Sequence, residues 1–400
     1  MVARNRELKK EIREAGSEKK DGRKEQNNLK SELGELDDKT VDNVVKKDKK
    51  TTGNGDLLNQ AINHSLAFIP SDISENLIKN FSLAKKIYGK SLIKLLSNYN
   101  PDYVSKNINL PEFKREIKKN VEENIQKLKD DGLVKDSSIT KKGFQLASIT
   151  MLFEELDKLK LYGGGKNENK KVSVYGDKDS IEGYKRDTRY RDIALKKSIK
   201  LALRRHHKTL IVEDIKSYKR KAKGKIEIVY ALDASGSMKG KKIEMCKKAG
   251  IALAFKAIEN MDQVGLLVFN SEVKSIIKPT NNFSRLLMEI VKVRAIRETN
   301  IKDTIESAIT IFPDDRAAKH LMLITDAMPT KGSEPEKETL EAVEKAREHG
   351  ITISLLGINL DEKGRKFAEK VVQLGDGRMY IVKEVEEIDS IVLEDYYLTK

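Results

Sequence analysis

The chain has 400 residues, 38% of them hydrophobic and 35% charged, which is enough apolar material for a sizeable core and excludes a wholly unstructured polymer. With no Trp and 6% aromatic residues it advertises no aromatic ligand box, and its single cysteine, Cys246, excludes an internal disulfide. The formal charge of +15 is unevenly spread. From Ile226 onward 26 Lys and Arg stand against 29 Asp and Glu, a net −3, so the first 225 residues carry +18.

A basic surface of that size can meet nucleic acid, anionic lipid or an acidic protein, or stay solvated. The N-terminus, Met1-Val2-Ala3-Arg4-Asn5-Arg6, runs into charges without an apolar leader. No stretch approaches the roughly 18 apolar residues needed to span a bilayer. The expectation is a cytoplasmic protein without a membrane partner, with Cys246 a small buried thiol in the helical run Lys241 to Ile258.

In chain order, residues 1–55 are rich in Lys and Glu and nearly free of aliphatics, so they are expected to form a disordered basic arm. Residues 56–165 space their apolar residues as helices do, for example Leu77, Ile78, Phe81 and then Leu92, Ile93, Leu95, Leu96. Within this helical domain, Phe113 to Leu128 reads as an amphipathic helix. Gly132-Leu133-Val134-Lys135-Asp136, Ile139-Thr140-Lys141-Lys142-Gly143 and a helix from Phe144 follow. That order resembles the recognition helix and wing of winged-helix domains. Residues 166–190, opened by Gly163-Gly164-Gly165-Lys166, read as a linker. Residues 191–225 form a basic adaptor segment, with a helix over Asp192 to Arg205 and an extended piece over Ile211 to Ile215.

From Ile226 to Lys400 short apolar runs alternate with amphipathic helices. Strands are expected at Ile226 to Leu232, Val264 to Phe269, Val273 to Ile277, His320 to Thr325, Ile351 to Leu356 and Met379 to Val382. Helices are expected at Lys241 to Ile258, Ile301 to Phe312 and Glu336 to His349. The alternation implies an α/β fold with a doubly wound, mostly parallel sheet. Only the runs from Val264 and Val273 are close enough to pair as a hairpin, which makes the latter an antiparallel edge.

Chemistry gathers at the carboxyl ends of those strands, where such sheets bind ligands. The first strand runs into Asp233-Ala234-Ser235-Gly236-Ser237-Met238 and the fourth into Thr325-Asp326-Ala327. A carboxylate and two hydroxyls at alternate positions on a tight turn, with Gly236 allowing unusual backbone angles, offer hard oxygens to one small cation. Thr299, in Arg297-Glu298-Thr299-Asn300-Ile301, adds another. Octahedral oxygen ligation suits Mg²⁺, with Mn²⁺ as its substitute.

These three motifs, in this chain order, resemble the metal-ion-dependent adhesion site of von Willebrand factor A domains. The resemblance covers about 175 residues and implies that Ser235, Ser237 and Thr299 touch the metal while Asp233 and Asp326 hold it through waters. It also implies a binding module whose ion attracts a partner's Asp or Glu. Two motifs depart from the family pattern, with Arg297-Glu298 where Gly-Gly is usual and Ala327 where Gly is usual. The segment from Asp192 to Ser198, Asp214-Ile215-Lys216, the basic run and Asp233 to Met238 is further similar to the D subunit of magnesium chelatase and to proteins that work beside MoxR-type AAA+ ATPases. That implies an adaptor coupling a ring ATPase to a client, itself not an enzyme.

A haloacid dehalogenase-type phosphatase needs a second Asp two residues beyond the first, where this chain has Ser235. Gly89-Lys90-Ser91 ends like a phosphate loop, yet Ala84 stands at its required first Gly and the run reads as helix. The five histidines show no ligand spacing with cysteine, and His320 is expected to fill a strand. The alternative function is nucleic-acid binding through the basic N-terminal half, with the C-terminal domain as an assembly module.

Overall fold

The computed structural model describes residues 38–163, 178–183, 194–205, 207, 211–220, 225–295, 299–313, 317–326, 328–330 and 332–399. The chain divides into two compact units, residues 1–163 together with 226–400, and residues 164–225.

The first unit begins with α1 (Asp38–Val45) and α2 (Lys49–Asn63). Asp48 caps α2, its carboxylate accepting the Thr51 amide at 2.9 Å, which satisfies one of the free donors of the first turn. The arm expected to lack structure as far as residue 55 is therefore helical from Asp38. Val41 and Val44 are buried, and the polar run Thr51 to Gly55 becomes the first half of a helix whose second half buries Leu57, Leu58, Ala61 and Ile62. Residues 1–37 of that arm lie outside the described residues.

Helices α3 (Pro70–Lys79), α4 (Phe81–Ser97), α5 (Pro101–Asn107) and α6 (Pro111–Asp130) follow. A Pro opens α3, α5 and α6, where the missing amide hydrogen would have had no partner in the helix. Helix α6 buries Phe113, Ile117, Val121, Ile125 and Leu128, one stripe at helical spacing. The hairpin β1 (Val134–Lys135) and β2 (Ser138–Ile139) pairs Val134 with Ile139, and α7 (Lys141–Gly163) returns across α2. Helix, hairpin and helix thus stand in the order read from the sequence. Helix α4 breaks at Gly89, whose φ of 72° and ψ of 165° are not helical, so the Gly89-Lys90-Ser91 run sits on a kink and not in a continuous helix.

The second unit contains β3 (Lys178–Gly183), α8 (Leu195–Arg204) and β4 (Lys216–Arg220), with β3 antiparallel to β4. Strand β3 falls inside the stretch 166–190 read as a linker, whose remaining residues lie outside those described. Where an extended piece was expected at Ile211 to Ile215, Val212–Asp214 forms a 3₁₀ turn. The buried Asp214 carboxylate holds that turn, pairing with Arg205 at 3.1 Å and with His207 Nδ1 at 2.8 Å.

From Ile226 the alternation read in the sequence appears as β5 (Ile226–Asp233), α9 (Lys241–Glu259), β6 (Gln263–Phe269), β7 (Val273–Thr280), α10 (Phe283–Lys292), α11 (Ile301–Ile311), β8 (Ala318–Thr325), α12 (Pro335–Glu348), β9 (Ile351–Ile358), α13 (Glu362–Leu374), β10 (Asp376–Val382) and α14 (Ile388–Thr399). The sheet order is β10-β9-β8-β5-β6-β7, parallel except for the β6–β7 hairpin. Every residue of β5 is buried, because a central parallel strand is covered on both faces. Ile228, Tyr230 and Leu232 point to the side covered by α9, α10 and α14, while Val229 and Ala231 point to the side covered by α11, α12 and α13.

The sequence reading separated a helical domain, 56–165, from the C-terminal domain, 226–400. In the structure one hydrophobic core runs through both, from Leu58, Ile62, Leu146 and Leu152 to Ile243, Ala254, Leu287 and Val392. The physical reason is the outer surface of α9 and α10, which is apolar enough to need cover and receives it from α2 and α7. No helix among the described residues is long and apolar enough to cross a membrane.

Candidate metal-ion site

Strands β5 and β8 are neighbours, so their carboxyl ends bring Asp233 and Asp326 to the same rim. The Asp233 side chain is fully buried. Its Oδ1 accepts the Ser235 amide at 2.8 Å and its Oδ2 accepts the Thr325 hydroxyl at 2.6 Å, tying the turn after β5 to the end of β8. The Ser235 and Ser237 hydroxyls lie 3.0 Å apart, and Ser237 donates to Asp326 Oδ1 at 2.7 Å. Four of the five residues singled out in the sequence, Asp233, Ser235, Ser237 and Asp326, are therefore joined by hydrogen bonds through this turn.

Thr299 is buried on the loop before α11, and its carbonyl accepts from the Thr330 amide and hydroxyl, both at 3.2 Å. The next residue, Asn300, donates to the Asn270 carbonyl at 2.7 Å, while Ala234 donates to the Phe269 carbonyl at 2.7 Å. The turn after β6 thus lies between the Asp233 turn and the Thr299 loop. The described hydrogen bonds of Thr299 run to Thr330 and not to the other four residues. Arg297, Glu298 and Ala327, where the sequence departs from the adhesion-site pattern, lie outside the described residues.

The special backbone angle also falls elsewhere than expected. Gly236 opens a 3₁₀ turn, Gly236–Met238, and the left-handed residue is Gly240, with φ 85°, at the start of α9. Gly240 donates its amide to the Asn63 carbonyl at 3.1 Å. The His64 ring is wedged between Gly240 and Gly89, so close that a Cβ on either would meet its Cε1 at 3.1 or 2.9 Å. Helix α2 therefore sets where α9 begins, four residues beyond the Asp-x-Ser-x-Ser turn.

Electrostatics at the rim are dominated by burial. Desolvation raises the Asp233 pKa to about 6, although the hydrogen bonds from Thr325 and Ser235 oppose it, and the nearby Asp326 carboxylate pushes in the same upward direction. Burial also pushes the Cys246 thiol well above its usual range, which leaves it a packing group and not a ligand. Sequence reasoning missed Lys242, whose ammonium lies 2.6 Å from Asp326 Oδ2. Its signal was available only as a lysine in the first turn of a helix, and nothing in the spacing aims it at a carboxylate 84 residues away.

The donors are hard oxygens, the Asp233 carboxylate and two hydroxyls on one turn with the Asp326 carboxylate from the neighbouring strand end, and that chemistry fits a small divalent cation of the Mg²⁺ type. The arrangement defines a doubly wound α/β module with hard-oxygen side chains gathered at the rim where two neighbouring parallel strands end. Residues 227–394 match the family model of the von Willebrand factor type A domain, and the C-terminal part of the chain is such a domain. Domains of this type generally mediate protein–protein interactions, often through a metal ion.

Among curated proteins, the chain is 27% identical, over an alignment of 187 residues, to inter alpha-trypsin inhibitor heavy chain 4 of Mus musculus, a match over 42% of this chain and 19% of that relative. The chain thus spans about a fifth of the relative's length. Among solved structures, BatB from Bacteroides thetaiotaomicron is 20% identical over 44% of this chain and 98% of its own, with a TM-score of 0.37. Proximal thread matrix protein 1 from the mussel byssus, described with a zinc-occupied MIDAS motif, is 16% identical over 44% of this chain and 48% of its own, with a TM-score of 0.35.

Proposed function

We propose that this chain is a non-catalytic docking subunit that holds Mg²⁺ or Mn²⁺ at Asp233, Ser235, Ser237, Thr299 and Asp326 and binds a protein partner through that partner's Asp or Glu. The observation that carries the reading is the linked run Ser235, Ser237 and Asp326 beside the buried Asp233, at the rim where two neighbouring parallel strands end. A divalent cation bound there supplies an electrophilic position for an outside carboxylate. The residues of this chain hold and orient: Asp233 locks the turn to Thr325, and Ser237 is the exposed member facing an incoming partner. A carboxylate entering such a position gains more than an exposed ion pair, for which about 0–1 kcal/mol is typical.

The partner class we favour is a MoxR-type AAA+ ATPase in a cytoplasmic complex, the chain acting as an adaptor to a client. This rests on the sequence similarity of Asp192 to Met238 to the chelatase D subunit and its relatives. The alternative, nucleic acid on the basic N-terminal half, has less support. The exposed residues of α6 mix Arg115, Lys118, Lys119 and Lys127 with Glu112, Glu116, Glu122 and Glu123, which is not the one-signed face that phosphate binding favours.

The test is calorimetric titration of the full chain and of Asp233→Ala with Mg²⁺ and Mn²⁺, followed by partner capture with and without EDTA. Binding by the parent chain that is lost in Asp233→Ala, with capture lost in EDTA and weakened in Ser235→Ala, supports the proposal. Equal metal affinity in the two proteins, or a partner retained in EDTA, removes it.

A further inference from the structure

The sequence motifs account for one oxygen of Asp326, which Ser237 holds. The other is held by Lys242, 2.6 Å away, with the Asp326 side chain 1% exposed and the lysine side chain 29% exposed. Lys242 stands in the first turn of α9, the positive end of the helix dipole, where a cation is disfavoured and Gly240 offers no side-chain cap. Helix energetics therefore do not explain a lysine there. The Asp326 carboxylate does, because a nearly buried anion is costly without a compensating cation.

We propose that Lys242 is a built-in competitor for the metal site, an ammonium that must yield Asp326 when a divalent cation binds and is then released to the rim beside the incoming partner. The inference rests on the metal-site reading of the preceding section. An ammonium and a dication sharing one carboxylate stand only a few ångströms apart, and at that range their repulsion is felt even with partial screening. The four-carbon stem of lysine lets the head swing into water while its Cα stays in the helix. Metal affinity is accordingly lower than the oxygen set alone would give, and metal loading changes the surface that a partner meets.

The experiment compares the full chain with Lys242→Met and Lys242→Arg by calorimetric titration with Mn²⁺ and Mg²⁺, with circular dichroism to verify that each variant is folded. In parallel, the parent chain is acetylated with acetic anhydride with and without Mn²⁺, and modification is read residue by residue by mass spectrometry. The expected result is that Lys242→Met binds Mn²⁺ on the order of tenfold more tightly, the repulsion being removed, while Lys242→Arg stays near the parent. Acetylation of Lys242 is expected to rise with Mn²⁺ while that of Lys241 does not change. Equal or weaker binding by Lys242→Met, tightening by Lys242→Arg as large as that by Lys242→Met, or protection of Lys242 by Mn²⁺ overturns the inference and leaves the metal site standing. If neither the parent nor Lys242→Met binds either cation, the metal-site reading fails and this inference with it.

Discussion

Lys247 and Asn63 meet inside the core that joins the N-terminal helices to the sheet domain. The fully buried ammonium donates to Asn63 Oδ1 at 2.8 Å and to the Val291 carbonyl at 3.0 Å, while the Asn63 carbonyl accepts the Gly240 amide. One residue of α2 thus holds both the start of α9 and a lysine two turns along it. Asn63→Ala is expected to leave Lys247 with one acceptor fewer and to cost about 1–3 kcal/mol, the usual penalty for an unsatisfied buried polar group. Urea unfolding of the full chain measures it, and an unchanged midpoint with an unchanged slope would show that the contact contributes nothing.

Burial lowers the Lys247 pKa from 10.5 to about 7. A depressed amine means that the unfolded chain binds the proton more tightly, so this group's contribution to stability grows as pH rises from about 7 towards 10.5. Lys247→Met should flatten that part of the stability profile. Urea midpoints at pH 7 and pH 9 for the two proteins would show it, and parallel profiles would refute it.

The opposite sign is expected at Asp56, on the same junction. Burial first, and then the Glu154 carboxylate, raise its pKa from 3.8 to about 7, with Lys248 opposing and Glu244 adding to the rise. The folded state binds this proton more tightly, so the stability it supplies is present at low pH and lost as pH rises from about 4 to about 7. Asp56→Asn keeps a donor for Glu154 without the charge. It is expected to be more stable than the parent at pH 8 and to differ little at pH 4, and a variant less stable than the parent at pH 8 would contradict the assignment.

Helices α2 and α7 touch backbone to side chain at Gly55, where a Cβ would lie 2.0 Å from Thr150 Oγ1 and 2.8 Å from its Cβ. Gly55→Ala therefore overpacks the crossing and is expected to destabilise by about 1–3 kcal/mol despite the better helix propensity of Ala. Combining it with Thr150→Ala should recover part of the loss, which a double-mutant comparison by urea unfolding would detect as non-additivity.

His320 and Asp395 form a buried pair at 2.7 Å that fastens the last helix to the sheet, and Asp395 Oδ1 also accepts from Ser354 at 3.0 Å and Tyr380 at 3.2 Å. Asp395→Ala leaves four polar partners on strands, His320, Ser354, Tyr380 and Arg378, without their common acceptor. A loss of about 3–5 kcal/mol is expected, as for breaking a buried pair from one side. Early protease cleavage within α14 would accompany it, and unchanged protection of that helix would rule the role out.

The sequence by itself determined the sheet domain and most of the polar residues that meet at its rim. Continuous apolar runs of strand length separated by helical periodicity admit few folds other than a parallel sheet covered on both faces, and that sheet brings strand ends to a common edge, so Asp233, Ser235, Ser237 and Asp326 could be named from local pattern alone. The hairpin between Val264 and Ile277 was legible for the same reason, the shortness of its turn. Tertiary structure decided the rest. The helicity of Thr51 to Gly55 depends on α7 lying close enough to accept a polar helix, and the fusion of the N-terminal helices with the C-terminal domain depends on the outward apolar face of α9 and α10. Lys242, Asn63 and Asp56 took their roles from partners 84, 184 and 98 residues away. Local propensity sets the period of an element, but the reach of a lysine or the proximity of two carboxylates is set only when elements distant in sequence close on one another.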